Sequence, residues 1–161
     1  MKWNSFEVAG RVLAAVILTL IVTLMWVPAA QGSGRKLIYQ FKGGTDGSMP
    51  QEGLIVDSAG NLYSTTLYGG GSGCGGRGCG TVFKLSPNPD GSWSESLLYA
   101  FQNNNGGPSA ALIFDSAGNL YGTTDGVQYA WGSVFKLAPN PDGTWTENTL
   151  WVPKADDEDT A

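Results

Sequence analysis

The chain has 161 residues, 24 of them glycine, a formal net charge of −5 and no histidine. The length suits one ordinary domain, and the missing imidazole removes Ser-His-Asp and Cys-His catalysis, histidine metal sites and histidine pH switching. Asp156, Asp157, Glu158 and Asp159 stand together near the C-terminus; the rest is close to neutral and lacks the clustered Lys and Arg that nucleic acid binding requires.

Lys2 and Arg11 flank the start of a mostly apolar run over residues 12–27, which ends at Pro28 and is followed by the small residues Ala29, Ala30 and Gly32. This is the layout of a secretory signal peptide. The run is a little long for a signal core and short of the ~20 residues that span a bilayer. Residues 1–32 are therefore expected to be a hydrophobic helix, either a signal cleaved after Ala29 or Gly32 or a membrane anchor held by residues 12–27. The first case places the protein outside the cell, on its surface or in the periplasm; the second leaves it tethered to the membrane.

Beyond this segment the chain repeats itself. LIVDSAGNLYSTT at residues 54–66 returns as LIFDSAGNLYGTT at 112–124, and GTVFKLSPNPDGSW at 80–93 returns as GSVFKLAPNPDGTW at 132–145. KLIYQF at 36–41 has a counterpart in LLYAF at 97–101, and TENTLW at 146–151 reads as the opening of another copy. The repeat region thus covers residues 33–151, with copy one at about 36–92, copy two at about 93–144 and the start of a third at 145–151. Residues 152–161 form an acidic tail, expected to be disordered.

Each copy offers four strand candidates: LIYQF or LLYAF, then LIVD or LIFD, then NLYSTT or NLYGTT, then TVFKL or SVFKL. In DSAGN the Asp and Ser side chains suit local backbone hydrogen bonds and the Gly suits positive φ, the chemistry of a tight hairpin. NPDG after the last strand is a second turn signal. The predicted class is all-β, with tandem four-stranded antiparallel sheets resembling two blades of a β-propeller. One blade cannot bury both of its faces, so a homo-oligomer that completes a ring of blades is expected if the chain functions alone.

The run DSAGNLYGTT, a Gly-rich loop, GTVFKL, a Pro-Asn-Pro-Asp-Gly turn and Trp-Thr-Glu before an LLYAF-like strand resembles the GloVer tandem repeat of bacterial exported proteins. The resemblance covers residues 37–150. It implies a propeller-like or related β-repeat architecture in an exported protein, and it implies no established activity.

Cys74 and Cys79 lie in GGGSGCGGRGCG, an insertion peculiar to copy one. In an exported chain with two cysteines the simplest reading is a disulfide, as a Cys-only zinc site needs two further ligands. Gly71, Gly73 and Gly76 satisfy G-x-G-x-x-G but lead into a strand, so no dinucleotide site follows. No cofactor, metal or catalytic residue is implied.

Recurrence separates scaffold from site. Asp57 and Asp115, Asp90 and Asp142, and Glu95 and Glu147 occur in both copies and read as structural; Asp46, Glu52 and Asp125 do not recur. Tyr68, Tyr129 and Trp131 fall where the copies differ most and, with Asp125, form the candidate ligand-binding loops. The expectation is an exported, non-enzymatic β-repeat protein that binds an extracellular glycan or protein at its surface. The alternatives are a polysaccharide-active hydrolase or lyase on a propeller scaffold, or a truncated fragment without a function of its own.

Overall fold

A computed structural model describes residues 34–102, 106–126 and 131–153. The expected signal or anchor, the acidic tail from residue 154 onward and Tyr129 lie outside the described residues. Among the described residues no helix is long and apolar enough to cross a membrane.

The structure is all-β and built from two antiparallel sheets within the unit Leu37–Ala161. Sheet one contains β1 (Ser48–Pro50), β2 (Ile55–Val56), β3 (Leu62–Tyr68), β4 (Thr81–Pro87) and β5 (Trp93–Ala100). Its order is β1-β3-β4-β5, and β2 lies beside β3 on the same side as β1. Sheet two contains β6 (Ile113–Phe114), β7 (Leu120–Thr124), β8 (Ser133–Pro139) and β9 (Trp145–Trp151), in that order. The Pro50↔Thr66 pairing of β1 with β3 has its echo in the bridge Pro108↔Thr124.

The turns explain why neighbouring strands pair. Asp57 Oδ1 accepts from the N–H groups of Ala59 and Asn61, both at 2.9 Å, while Oδ2 accepts from Asn61 Nδ2 at 2.8 Å and the Tyr63 hydroxyl at 3.0 Å. Asp115 repeats all four bonds with Ala117, Asn119 and Tyr121. Gly60 and Gly118 close the turns at φ 82 and 81, a region that costs an L-residue strain. After β4 and β8, the NPDG turns are held by Asp90 accepting from Ser92 and Asp142 from Thr144.

These NPDG hairpins also set the boundaries of the sheets, which differ from the repeat as read along the chain. LLYAF was expected to open copy two; its first four residues instead complete β5, which closes sheet one against β4. TENTLW was expected to open a third copy and instead belongs to β9, the closing strand of sheet two. The physical reason is proximity: a tight turn brings β4 back on itself with the least loop-closure entropy, so the strand after it joins the same sheet. LIYQF at residues 37–41, the remaining expected strand, joins no sheet among the described residues. It lies across the outer face of sheet one, with Phe41 edge-on to Phe83 at 4.8 Å.

The core lies between the sheets. Tyr63, Cys79 and Val82 meet Phe101, Leu112, Leu120, Phe135 and Leu137 in one buried cluster. Tyr63 stands edge-on to Phe114 at 5.0 Å, and Phe101 to Phe135 at 5.1 Å. Burial first, and then the Asp57 carboxylate that accepts its proton, push the Tyr63 phenol up to about 12.

Candidate functional site

The loop between β3 and β4 is ordered by its own backbone. Gly69 N–H donates to Arg77 O at 2.9 Å, Gly78 N–H to Gly73 O at 2.9 Å, Gly80 N–H to Gly69 O at 3.1 Å, and Gly70 N–H to Gly44 O at 2.9 Å. Glycine is required where these segments cross: a Cβ on Gly78 would come within 2.1 Å of Gly69 O. Cys74 and Cys79 are joined by a disulfide with Cα atoms 5.2 Å apart, and Cys79 is buried. A bond closing so short a loop removes ~2 kcal/mol of unfolded-state entropy in the chain-entropy model. It also fits an oxidising compartment.

Sheet two reaches this loop through Gly107. Gly107 N–H donates to Asp125 Oδ1 at 2.8 Å, and Asp125 N–H returns a bond to Gly107 O at 2.9 Å. On the other side a Cβ at Gly107 would fall 2.3 Å from Cys79 O, and Phe101 N–H donates to Gly80 O at 3.0 Å. Cys79, at the end of the first variable loop, and Asp125, at the start of the second, thus meet across Gly107, and this junction is termed the rim.

Next to this rim, where the two sheets adjoin, is a small polar cavity of about 190 Å³. Gln51, Glu52, Ser109 and Asp125 line it, with Thr65 and Pro108 among the residues of its wall. Asp125 stands 58 residues after Leu67, which also lines the cavity, so a carboxylate occupies in sheet two the position of a leucine in sheet one.

The expected site residues are distributed as follows. Asp125 and Glu52 share the cavity, although one oxygen of Asp125 is committed to Gly107. Tyr68, expected in a loop, is the last residue of β3 and is half-buried, with the Arg77 guanidinium 5.4 Å from its ring centre. Trp131 precedes β8 and is 49 % exposed. Asp46 is taken up locally, accepting from the Tyr39 hydroxyl and from Lys42 N–H, each at 2.6 Å. That hydroxyl bond, the largest of several causes, pushes the Tyr39 phenol up to about 12.

A second, wider groove of about 470 Å³ runs between the DSAGN turns, where Asp57, Tyr63, Phe114, Asp115 and Trp145 come together. Its carboxylates are saturated by turn hydrogen bonds, which leaves them poor general acids or bases. Gln51, Ser109 and Arg77 had no signal in the chain, because a single polar residue in a loop looks the same whether or not it faces a cavity.

No curated protein and no solved structure matches the chain. The family model described as the Gloeobacter/Verrucomicrobia repeat matches residues 23–156, so the chain belongs to the Gloeobacter/Verrucomicrobia repeat family.

Proposed function

We propose that the chain is an exported, non-enzymatic β-repeat protein whose sheets are adjoining members of a propeller-like array, and that its loop rim binds an extracellular glycan. The observation that carries this reading is the junction at Gly107, which ties the disulfide-closed loop of sheet one to Asp125 of sheet two. Cys79 and Asp125, two residues at which the copies differ, are thereby held together on the sheet scaffold, and differing residues on a rigid scaffold are the usual means of recognition. A sugar offers a flat apolar face together with hydroxyl groups, which suit the exposed ring of Trp131 and the polar Gln51, Glu52 and Ser109 of the cavity respectively.

A glycan array probed with folded protein tests the proposal. Binding to a defined glycan class that is weakened by Trp131→Ala supports it, and no binding at all overturns it. A polysaccharide hydrolase or lyase is the second reading, favoured by the presence of Glu52 and Asp125 in one cavity. It requires that Glu52→Gln or Asp125→Asn abolish turnover of a polysaccharide that the parent protein cleaves.

A further inference from the structure

We propose that the chain docks head to tail on a second copy of itself, with the outer face of sheet two seated on the outer face of sheet one. This goes beyond rim binding and extends the propeller-like reading, and its template is the contact already made between the two sheets.

Because the sheets are copies, each residue of that contact has an equivalent on a free face. Sheet one turns Ile55, Tyr63, Val82 and Leu98 toward sheet two, and all are buried or packed on the core. The equivalents on the far side of sheet two include Ile113 and Leu150, which are 64 % and 53 % exposed, and Tyr121, which is paired with Ile113. Sheet two in turn buries Leu112 and packs Phe114 against the core, whereas the equivalents on sheet one, Leu54 and Val56, are 54 % and 61 % exposed. One face of the contact is therefore repeated on sheet two without its partner, and the other on sheet one.

Charge agrees with the match. Lys136 pairs with Tyr121 on the sheet-two face, and Glu95 pairs with Leu85 on the sheet-one face, where Glu95 Oε1 is buried without a hydrogen-bond partner among the described residues. Faces of two different kinds make a heterologous contact, which propagates into a ring or a filament.

Residues 37–41 lie on part of the sheet-one face. Phe41 covers Phe83 at 4.8 Å as Phe101 covers Phe135 at 5.1 Å, and Tyr39 meets Phe41 as Tyr99 meets Phe101. By this equivalence the partner's Trp151, which corresponds to Tyr99, arrives where Tyr39 lies. Residues 37–39 yield on docking: they carry no ladder bonds and Leu37 is largely exposed, and the bond given up is that of the Tyr39 hydroxyl to Asp46.

The test uses the full chain in non-denaturing detergent and the variants Leu54→Asp and Ile113→Asp, both at exposed positions. Sedimentation velocity is expected to show concentration-dependent association of the parent chain, and each variant alone is expected to weaken it at least roughly tenfold. A mixture of the two restores dimers and nothing larger, because each variant keeps the one face the other lacks. Three results overturn the proposal: a monomeric parent chain, association that neither variant weakens, or a mixture that stays monomeric while both variants unfold cooperatively. Rim binding is scored separately on the glycan array, so the two readings fail independently.

Discussion

Leu54 and Leu112 hold the same place in the two copies, yet Leu112 is 1 % exposed between the sheets and Leu54 is 54 % exposed on the outer face. Position in the repeat therefore does not decide burial; the neighbouring sheet does. Leu112→Ala is expected to cost ~2–5 kcal/mol through lost transfer energy and a residual cavity, and Leu54→Ala within ~0.5 kcal/mol in the monomer. Urea unfolding of both variants at low protein concentration checks the difference, and equal costs would contradict the interface described.

The DSAGN turns make stability acid-sensitive. Asp115 is held down to about 2 from the ordinary 3.8, chiefly by the Asn119 side chain, with further bonds from Asn119 N–H, Tyr121 and Ala117 offsetting its partial burial. At Asp57 burial pushes the other way, and hydrogen bonds led by Asn61 more than offset it, so that carboxyl is also lowered. Asp90 and Asp142 shift down as well, through Ser92 and Thr144. Lowered folded-state values mean that the stabilisation is complete above the unfolded value and is lost as pH falls toward about 2. The urea midpoint should drop between about pH 4 and pH 2, and Asp57→Asn with Asp115→Asn should lower the midpoint at neutral pH and flatten this drop. A double variant with the parent's acid profile would assign the effect elsewhere.

The hairpins were legible because their turns are local: Asp57, Gly60, Asp90 and Gly91 carry the hydrogen bonds and backbone angles within a few residues. The grouping of strands was less so. LIYQF and LLYAF look alike, and both lay an aromatic ring on the sheet that follows them, yet among the described residues only LLYAF has a preceding strand to pair with. The disulfide could be read from two cysteines in a small loop. Asp125, singled out because it does not recur, does reach the cavity, but its bond to Gly107 joins residues 18 apart and leaves no mark in any local pattern.

Reduction of Cys74–Cys79 should loosen the rim and leave the sheets standing. The bond contributes about 2 kcal/mol in the chain-entropy model, whereas the inter-sheet cluster is formed largely by side chains outside the loop. Cys74→Ser with Cys79→Ser is therefore expected to keep a cooperative transition at a lower midpoint. Amide exchange should speed up at Gly78 and Gly80, whose N–H groups bond across the loop to Gly73 O and Gly69 O. Unchanged exchange at these two amides would mean that the glycine backbone orders the loop without the bridge.

Gly107→Ala probes the junction of the two sheets directly. Its Cβ would meet the Cys79 carbonyl oxygen at 2.3 Å, a backbone atom that cannot swing aside, so the loop at Cys79 and the segment at Gly107 must separate. Overpacking of this kind costs roughly 1–3 kcal/mol. The displacement also opens the Gly107 N–H bond to Asp125 and the wall of the polar cavity. Asp125→Asn keeps the shape and an acceptor oxygen while removing the charge, so it should cost less, about 1 kcal/mol or below. Rim binding should fall in both variants, further in Gly107→Ala. If Gly107→Ala instead unfolds with the parent's midpoint and binds glycan equally well, the rim does not act as one site.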